Sequence, residues 1–465
     1  MKPLFCHLLL CCVFMSSLMA APSPAGSQSL AGTWQLTLLT PDVGELALVM
    51  DFDLRPPAGD SCRFEAYTER HADRRLLGPV KAQAARWWMK KYKGGSLVRI
   101  SRGVLYGQDS VTGILLAPTK NYYLSARLEA GTMKGYLLNS KGEIRGLVSG
   151  VKGRPSLPLR PYPRIMDSVI SQTEKVIYDP DIASSHSWKS FTRKMRRLSA
   201  VSHDDALFMM GFFYHARKLP FSHYMLYRYD GEVNNRGDAV AGNVLLEEKS
   251  PGVAYLKIRS FGGAAAEMDS VFELLCRRQY TQLVVDLRDN PGGSAEAGIA
   301  FSGHLAPAAY YGGIFLTQRY FRNHNTLPGP DVYTQFPHFS EANYDLIMKG
   351  IHEEEGLCLL LQPRQPRFTG QVYVLTNRHT ASTCEPIVYG LKQHQRAVIV
   401  GERTAGAMLN GETFSLPEDF KLVIPTATYY TADGVRLDRR GVAPDKAVPS
   451  DQALTTVLSE LHIQP

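Results

Sequence analysis

Between Ser29 and Gly153 apolar and polar residues alternate in short runs: LAGTWQLTLL, ELALVMDFDL, SLVRISRGVLYG, VTGILLAP, NYYLSARLEA and MKGYLLNSKGEIRGLVSG. A period of two sends successive side chains to opposite faces of a strand. Gly, Pro, Asn-Ser and Asp-Ser separate the runs and read as turns. Short, evenly spaced strands of this kind predict an all-β barrel or sandwich over residues 29–153. The stretch RPSLPLRPYPR, residues 154–164, is Pro- and Arg-rich and predicts a linker. The period then changes to that of a helix. IMDSVISQTEKVIY, SWKSFTRKMRRLS and SHDDALFMMGFFYHARKL predict a helical segment over residues 165–222.

After Leu219 strands and helices alternate. HYMLYRYD, NVLLEE and VAYLKIRSF read as strands, MDSVFELLCRRQY as an amphipathic helix, and QLVVDLRDNPGG as a buried strand running into a turn. EAGIAFSGHLA is helical. A long aromatic and Pro-rich region, 308–368, contains the helix-like EANYDLIMKGIHEEE. FTGQVYVLTNRHTAS is strand and turn, EPIVYGLKQHQ helix, and AVIVGERT strand. The alternation predicts an α/β domain over residues 223–460, a mixed sheet with flanking helices, preceded by the helical segment. In such sheets sites form at the C-terminal ends of strands. VVDLRDNPGG and YVLTNRHTAS both end at that kind of position.

Each of these two ends carries candidate chemistry and also a plain reading. Gly292-Gly293 let the backbone take positive φ and approach another group closely, so their N–H groups suit half of an oxyanion hole. A Pro-Gly-Gly turn is also simply a turn. In TASTCEP, Ser382 sits between a strand and a helix. As a nucleophile on a sharp turn it would place the N–H of Thr383 toward a developing oxyanion. As an ordinary connection, Thr380, Ser382 and Thr383 only cap the helix, and Pro386 suits its first turn.

Length and composition narrow the class. At 465 residues the chain exceeds one ordinary domain. A hydrophobic fraction of 44% and a charged fraction of 21% are those of a globular protein. The net charge of +8 and the basic clusters Lys90-Lys91-Tyr92-Lys93 and Arg193–Arg197 predict solvated faces, not a nucleic-acid stripe. The opening MKPLFCHLLLCCVFMSSLMAAP has the layout of a secretory signal peptide over residues 1–21, with a retained anchor as the alternative. No later segment is apolar for long enough to span a membrane. Cys62, Cys276, Cys358 and Cys384 are widely spaced and predict buried thiols, and no His/Cys cluster has zinc spacing. No metal or cofactor is expected.

Together the two strand ends resemble peptidase family S41, the tail-specific or C-terminal processing peptidases. That family pairs a D-x-R-x-N-x-G-G turn with an S/T-A-S-x-x-E elbow, then G-E-x-T-x-G and a closing G-V-x-P-D. Here these read Asp286–Gly293, Thr380–Glu385, Gly401–Gly406 and Gly441–Asp445. The resemblance covers residues 165–455 and leaves the β-rich segment aside as an accessory domain. In that segment Gly32-Thr33-Trp34 is similar to the first strand of lipocalin-like barrels, or is a Trp capping a β core.

The resemblance divides into two branches. One uses a Ser-Lys dyad with its lysine directly after G-E-x-T-x-G, and that position here is Ala407, which accepts no proton. The other branch, similar to the tricorn core and the retinoid-binding-protein-like members, uses histidine. Ser222-His223 in KLPFSHYMLYR matches its upstream pair, and Asp438 matches its carboxylate, where the family usually has Glu. The resemblance therefore implies a serine-type endopeptidase, and the signal-peptide layout a secreted or periplasmic one. Ser382 would be nucleophile and His223 base, with Ser222 and Asp438 supporting. Gly292 or Gly293 would hold the oxyanion with Thr383, Gly292 being favoured by analogy. His379 as base and Cys384 as nucleophile are weaker rivals. Glu402 either supports the site or ends a strand. The residues between His223 and Asp286 leave no room for the PDZ domain many relatives carry. The partner implied is a peptide or polypeptide, with no nucleic acid and no membrane span after signal removal, and a homo-oligomer is left open. A catalytically inactive binding protein for an apolar or peptide ligand is the alternative.

Overall fold

A computed structural model describes residues 30–463 apart from 41–43, 58, 89–94, 118–119, 229–242, 264 and 341–342. The signal-peptide segment and the Lys90–Lys93 cluster lie outside the described residues. The chain divides into two compact units: Met1–Leu159 with Asp204–Ala206, and Arg160–His203 with Leu207–Pro465.

The first unit is an eight-stranded antiparallel barrel, one of the two architectures the alternation allows. Its strands are β1 (Gly32–Thr40), β2 (Gly44–Leu54), β3 (Ser61–Tyr67), β4 (Arg99–Tyr106), β5 (Ser110–Leu116), β6 (Asn121–Glu129), β7 (Thr132–Leu138) and β8 (Ile144–Lys152). Each pairs with its neighbour in sequence, and β1 pairs with both β2 and β8, which closes the sheet. In β6 Tyr122, Leu124 and Ala126 point inward while Asn121, Tyr123, Ser125 and Arg127 are exposed. Trp34, Leu36, Leu48, Met50, Val111, Met133 and Leu137 fill the interior at zero exposure, as small barrels require. Trp34 Nε1 donates to Leu30 O at 2.9 Å, so the indole N–H is satisfied inside. The β6–β7 turn places Ala130 and Gly131 at φ 46° and 77°, the positive pair that a tight two-residue hairpin turn needs.

In the second unit helices α1 (Tyr162–Val176), α2 (His186–Ser199) and α3 (Asp205–Ala216) come first. Ser185 caps α2 by accepting the Trp188 N–H at 3.2 Å. Arg193, Lys194, Arg196 and Arg197 lie on its exposed face, opposite buried Trp188, Phe191 and Met195. Helix α3 is apolar on nearly every side and is correspondingly buried. Trp188, Phe191 and Phe212 pack ring to ring with Tyr224, at centroid distances of 5.1–6.0 Å.

A six-stranded sheet follows: β10 (Val244–Ser250), β11 (Val253–Ile258), β12 (Gln282–Asp286), β16 (Gln371–Thr376), β17 (Val398–Gly401) and β20 (Lys446–Ala447), in that order. All its neighbours are parallel except β10 and β11. β12 and β16 lie side by side with Val285 opposite Val374. Their continuous apolar runs follow from burial on both faces. Each feeds a turn and a helix, α4 being Ala265–Arg277 before β12, α5 Ala295–Leu305 after it and α8 Cys384–Gln393 after β16.

A second, mainly antiparallel sheet runs β9 (Met225–Arg228), β19 (Phe420–Thr431), β13 (Tyr310–Thr317), β15 (Gly356–Leu361) and β14 (His338–Phe339), with β18 (Leu409–Ser415) also on β19. The region 308–368 therefore holds three strands besides α6 (Gln318–Asn323) and α7 (Tyr344–Glu353). The chain ends in α9 (Ala453–Glu460).

Candidate active site

The turn after β12 is built by side chains. Asp286 receives Arg288 through two bonds, Nε to Oδ1 at 2.9 Å and Nη2 to Oδ2 at 2.6 Å, and accepts Tyr255 OH at 2.7 Å. Burial pushes its carboxyl upward, but the Arg288, Tyr255 and Lys257 contacts outweigh this and hold it below its ordinary value. Asn290 is wholly buried. Its Nδ2 donates to Ile258 O at 3.0 Å and its Oδ1 accepts the Gly292 N–H at 2.8 Å. Gly292 has φ +97°, and a Cβ there would lie 2.6 Å from Ser382 Cβ and 2.9 Å from Thr383 N. Only glycine fits against the neighbouring turn.

That neighbouring turn follows β16 and is zipped to the first. Ala381 N donates to Asn290 O at 3.0 Å, Thr380 Oγ1 to Leu287 O at 2.8 Å, and Asn377 Nδ2 to Asp289 Oδ1 at 2.9 Å. Ser382 itself has φ +55°, a conformation costly for a residue with a side chain and held only by strong surroundings. Glu385 supplies them. Its fully buried carboxylate accepts Thr404 Oγ1 at 2.6 Å, Gly406 N at 2.8 Å and Ala407 N at 2.6 Å. Ala407 O in turn accepts the Ser382 N–H at 3.0 Å. The N–H groups of Gly293 and Thr383 have no acceptor among the described residues.

The third component comes from the connection between α3 and β9. Phe221 and Tyr224 are buried, and between them Ser222 and His223 face the elbow. His223 also takes a positive φ, 53°. Its Nε2 lies 3.2 Å from Ser382 Oγ, and its Nδ1 lies 2.8 Å from Ser222 Oγ. Asp438 Oδ2 accepts the Ser222 N–H at 3.3 Å. Arg436 Nη2 lies 3.4 Å from Asp438 Oδ2. Asp438 Oδ1 is buried with no hydrogen-bond partner among the described residues. Burial raises the Asp438 carboxyl above its ordinary value. Burial, and after it the charge of Arg439, pushes the His223 imidazole down to about 4. Arg439 donates through Nη2 to the carbonyls of Leu219 and Phe221, tying the strand of residues around Asp438 to the histidine loop.

The rival residues are engaged elsewhere. His379 Nδ1 pairs with Asp289 Oδ1 at 3.0 Å on an exposed edge. The Cys384 thiol is buried and pushed well above its ordinary value, which disfavours a thiolate. Glu402 Oε1 accepts Ser450 N at 3.1 Å, a strand-end contact. Cys62, Cys276, Cys358 and Cys384 are all free thiols, three of them buried as expected, whereas Cys276 is only half-buried. His215 is buried on α3, and burial pushes it down to about 4. Asn290 and Glu385 stand at named positions of the two quoted motifs but receive no role from the sequence, and the carbonyl of Ala407 carries no signal there. A buried polar side chain at a strand-to-helix junction was the available hint, since such groups are nearly always satisfied.

The arrangement sets a neutral nitrogen beside an alcohol, with two uncommitted backbone N–H groups nearby. These are the parts that acyl transfer uses. Residues 252–448 match the model of peptidase family S41. That segment belongs to peptidase family S41. The S41 segment contains Gly292, Gly293, Ser382, Thr383 and Asp438, whereas Ser222 and His223 lie before it. The chain is 27% identical over 206 residues to a carboxyl-terminal-processing protease of Picosynechococcus, covering 44% of this chain and 41% of that protein. It is 25% identical over 195 residues to the chloroplastic carboxyl-terminal-processing peptidase 1 of Arabidopsis thaliana, covering 42% and 33%. The chain thus spans under half the length of these two relatives. Among solved structures, a photosystem II D1 C-terminal processing protease aligns with a TM-score of 0.38 and 15% identity, over 63% of this chain and 94% of its own. Among the described residues no helix is long and apolar enough to cross a membrane.

Proposed function

We propose that the protein is a serine-type peptidase of the Ser-His kind. The observation that carries this is the 3.2 Å approach of His223 Nε2 to Ser382 Oγ across 159 residues of sequence. That distance lies at the edge of hydrogen-bond reach, where the proton acceptor for a serine must stand. Ala407 occupies the position of the lysine in the other branch, so no amine is needed or present there.

In this reading a proton on Nδ1 is donated to Ser222 Oγ, and the Ser222 hydroxyl donates to Asp438. Nε2 is then left as the acceptor toward Ser382. Ser382 Oγ attacks the scissile carbonyl carbon and its proton passes to Nε2. The carbonyl oxygen becomes an oxyanion held by the N–H groups of Gly293 and Thr383, each worth ~3 kcal/mol. This reading prefers Gly293 to Gly292, the choice by analogy, because the Gly292 N–H donates to Asn290 Oδ1 at 2.8 Å. The C–N bond breaks, His223 returns the proton to the amine, and an acyl-Ser382 ester remains. Water attacks the ester by the same relay and frees the acid. Asp438, through Ser222, stabilises the imidazolium in both halves.

The test uses the full chain with a fluorophosphonate and a mixed peptide substrate pool. Ser382 takes the label and peptides are cleaved. Ser382→Ala abolishes both, and His223→Ala lowers both by several orders of magnitude. Normal turnover by His223→Ala protein refutes the reading. We also infer export from the residue 1–21 pattern. N-terminal sequencing of exported protein starting near Ala21 or Pro22 supports this, and retention in the cytosol with Met1 intact overturns it.

A further inference from the structure

Beside Ser382 lies a cavity of about 310 Å³. His223, Gly293, Ser382 and Thr383 are among its lining residues, so the cavity adjoins the groups around which a substrate carbonyl would be held. Its walls come from several elements. Ile299 stands on α5, Phe315 and Leu359 on the second sheet, Ile347 on α7, and Met408 just before β18. Gly298, Gly312 and Gly411 contribute no side chains, which leaves the depth open. Among the described lining residues the only titratable groups are His223 and Tyr429. The Tyr429 hydroxyl is committed to Gly312 O at 2.7 Å.

We propose that this cavity receives the side chain of the residue whose carbonyl Ser382 attacks, and that it selects a bulky apolar one, aromatic or branched aliphatic. The proposal rests on the peptidase reading and adds the substrate class to it. Two physical points carry it. A charged side chain has no counter-ion on the walls, and burying an unpaired charge is strongly unfavourable. A methyl group leaves most of the cavity unfilled, whereas a benzyl or isobutyl group removes its whole apolar surface from water. Ile347, Leu359 and Phe315 are therefore specificity-determining, and α7 acts as the wall that sets how large a group enters.

The experiment uses diphenyl aminoalkylphosphonate peptides, which carry an acyl-side residue and no leaving-side residue. Ser382 Oγ bonds to phosphorus and phenol departs with the proton, so no natural substrate is required. Rates of Ser382 labelling are compared for side chains of Phe, Leu, Ala and Lys. The expected order is Phe and Leu at least about tenfold above Ala, with Lys slowest, in line with hydrophobic pocket discrimination. Ile347→Trp, which fills the cavity from α7, is expected to lower the Phe-to-Ala ratio about tenfold. Leu359→Trp serves the same purpose if thermal melting shows that the first variant does not fold. A flat series, or Lys faster than Phe, overturns the proposal while leaving the peptidase reading standing. Failure of a plain fluorophosphonate to label Ser382 removes the peptidase reading and the proposal with it.

Discussion

Replacing Glu385 by alanine tests whether the elbow is held from behind. The carboxylate is fully buried and accepts three bonds at 2.6–2.8 Å, two of them from backbone amides. Removing it strands the N–H groups of Gly406 and Ala407 in a site without another acceptor. An unsatisfied buried donor costs about 1–3 kcal/mol, so the two amides together cost about 2–6 kcal/mol. The Thr404 hydroxyl can turn, and it keeps accepting the Val442 N–H at 2.7 Å. Burial raises the Glu385 carboxyl above its ordinary value, so its removal relieves some desolvation, and the expected net loss is about 2–4 kcal/mol. Glu385→Gln keeps one acceptor and sets an NH₂ group against a donor, so its loss is intermediate. Urea denaturation monitored by far-UV circular dichroism measures both. Because Ala407 O holds the Ser382 N–H, the turnover number falls along with stability. A Glu385→Ala protein within about 1 kcal/mol of wild type and with wild-type turnover refutes this account of the elbow.

Further expectations concern the relay and the glycine turn. His223 must be neutral to accept a proton, and it is pushed down to about 4. The acid limb of kcat/KM therefore has its midpoint well below the ordinary 6.5, and a midpoint at 6.5 or above refutes the burial argument. The linked stability has a definite sign. The unfolded imidazole binds its proton near 6.5 and the folded one only near 4. This contribution to stability is complete above 6.5 and is lost as pH falls through 4, as urea titrations across that window can check. Asp438→Asn leaves the fold intact but weakens the acceptor behind Ser222. It should lower the turnover number about 10²- to 10⁴-fold with little change in KM, and an unchanged turnover number removes Asp438 from the relay. Gly292→Ala combines φ +97° with a Cβ 2.6 Å from Ser382 Cβ. It should destabilise by about 1–3 kcal/mol and suppress fluorophosphonate labelling, and normal labelling kinetics would show that the two turns tolerate separation.

The sequence was most legible where a local period meets a single environment. β6 alternates strictly because one face is the barrel interior and the other solvent. β12 and β16 are continuous apolar runs because both faces are covered. Barrel closure was not legible, since β1 pairs with β8 from the far end of the segment and no local pattern records that contact. The strands β13 and β15 escaped notice in region 308–368. YYGGIFLT and GLCLLL are short apolar runs amid Pro and aromatic residues, where periodicity cannot separate strand from helix. The hairpin of β18 and β19 was missed for a related reason, because Pro425 interrupts a strand pattern and sits opposite the irregularity between Asn410 and Gly411. Within the site, glycines, serines and the histidine were visible as residue types at motif spacing. The commitment of the Gly292 N–H to Asn290 was not, because a hydrogen bond two residues away depends on the turn's conformation.

The histidine loop lies upstream of the S41 segment, and the serine turn lies within it. A nascent or clipped chain that holds only one of these stretches carries an inert alcohol or an isolated ring. On the proposed relay, hydrolytic competence would therefore require both stretches to have folded against each other, and a chain holding only one of them would be harmless to its neighbours.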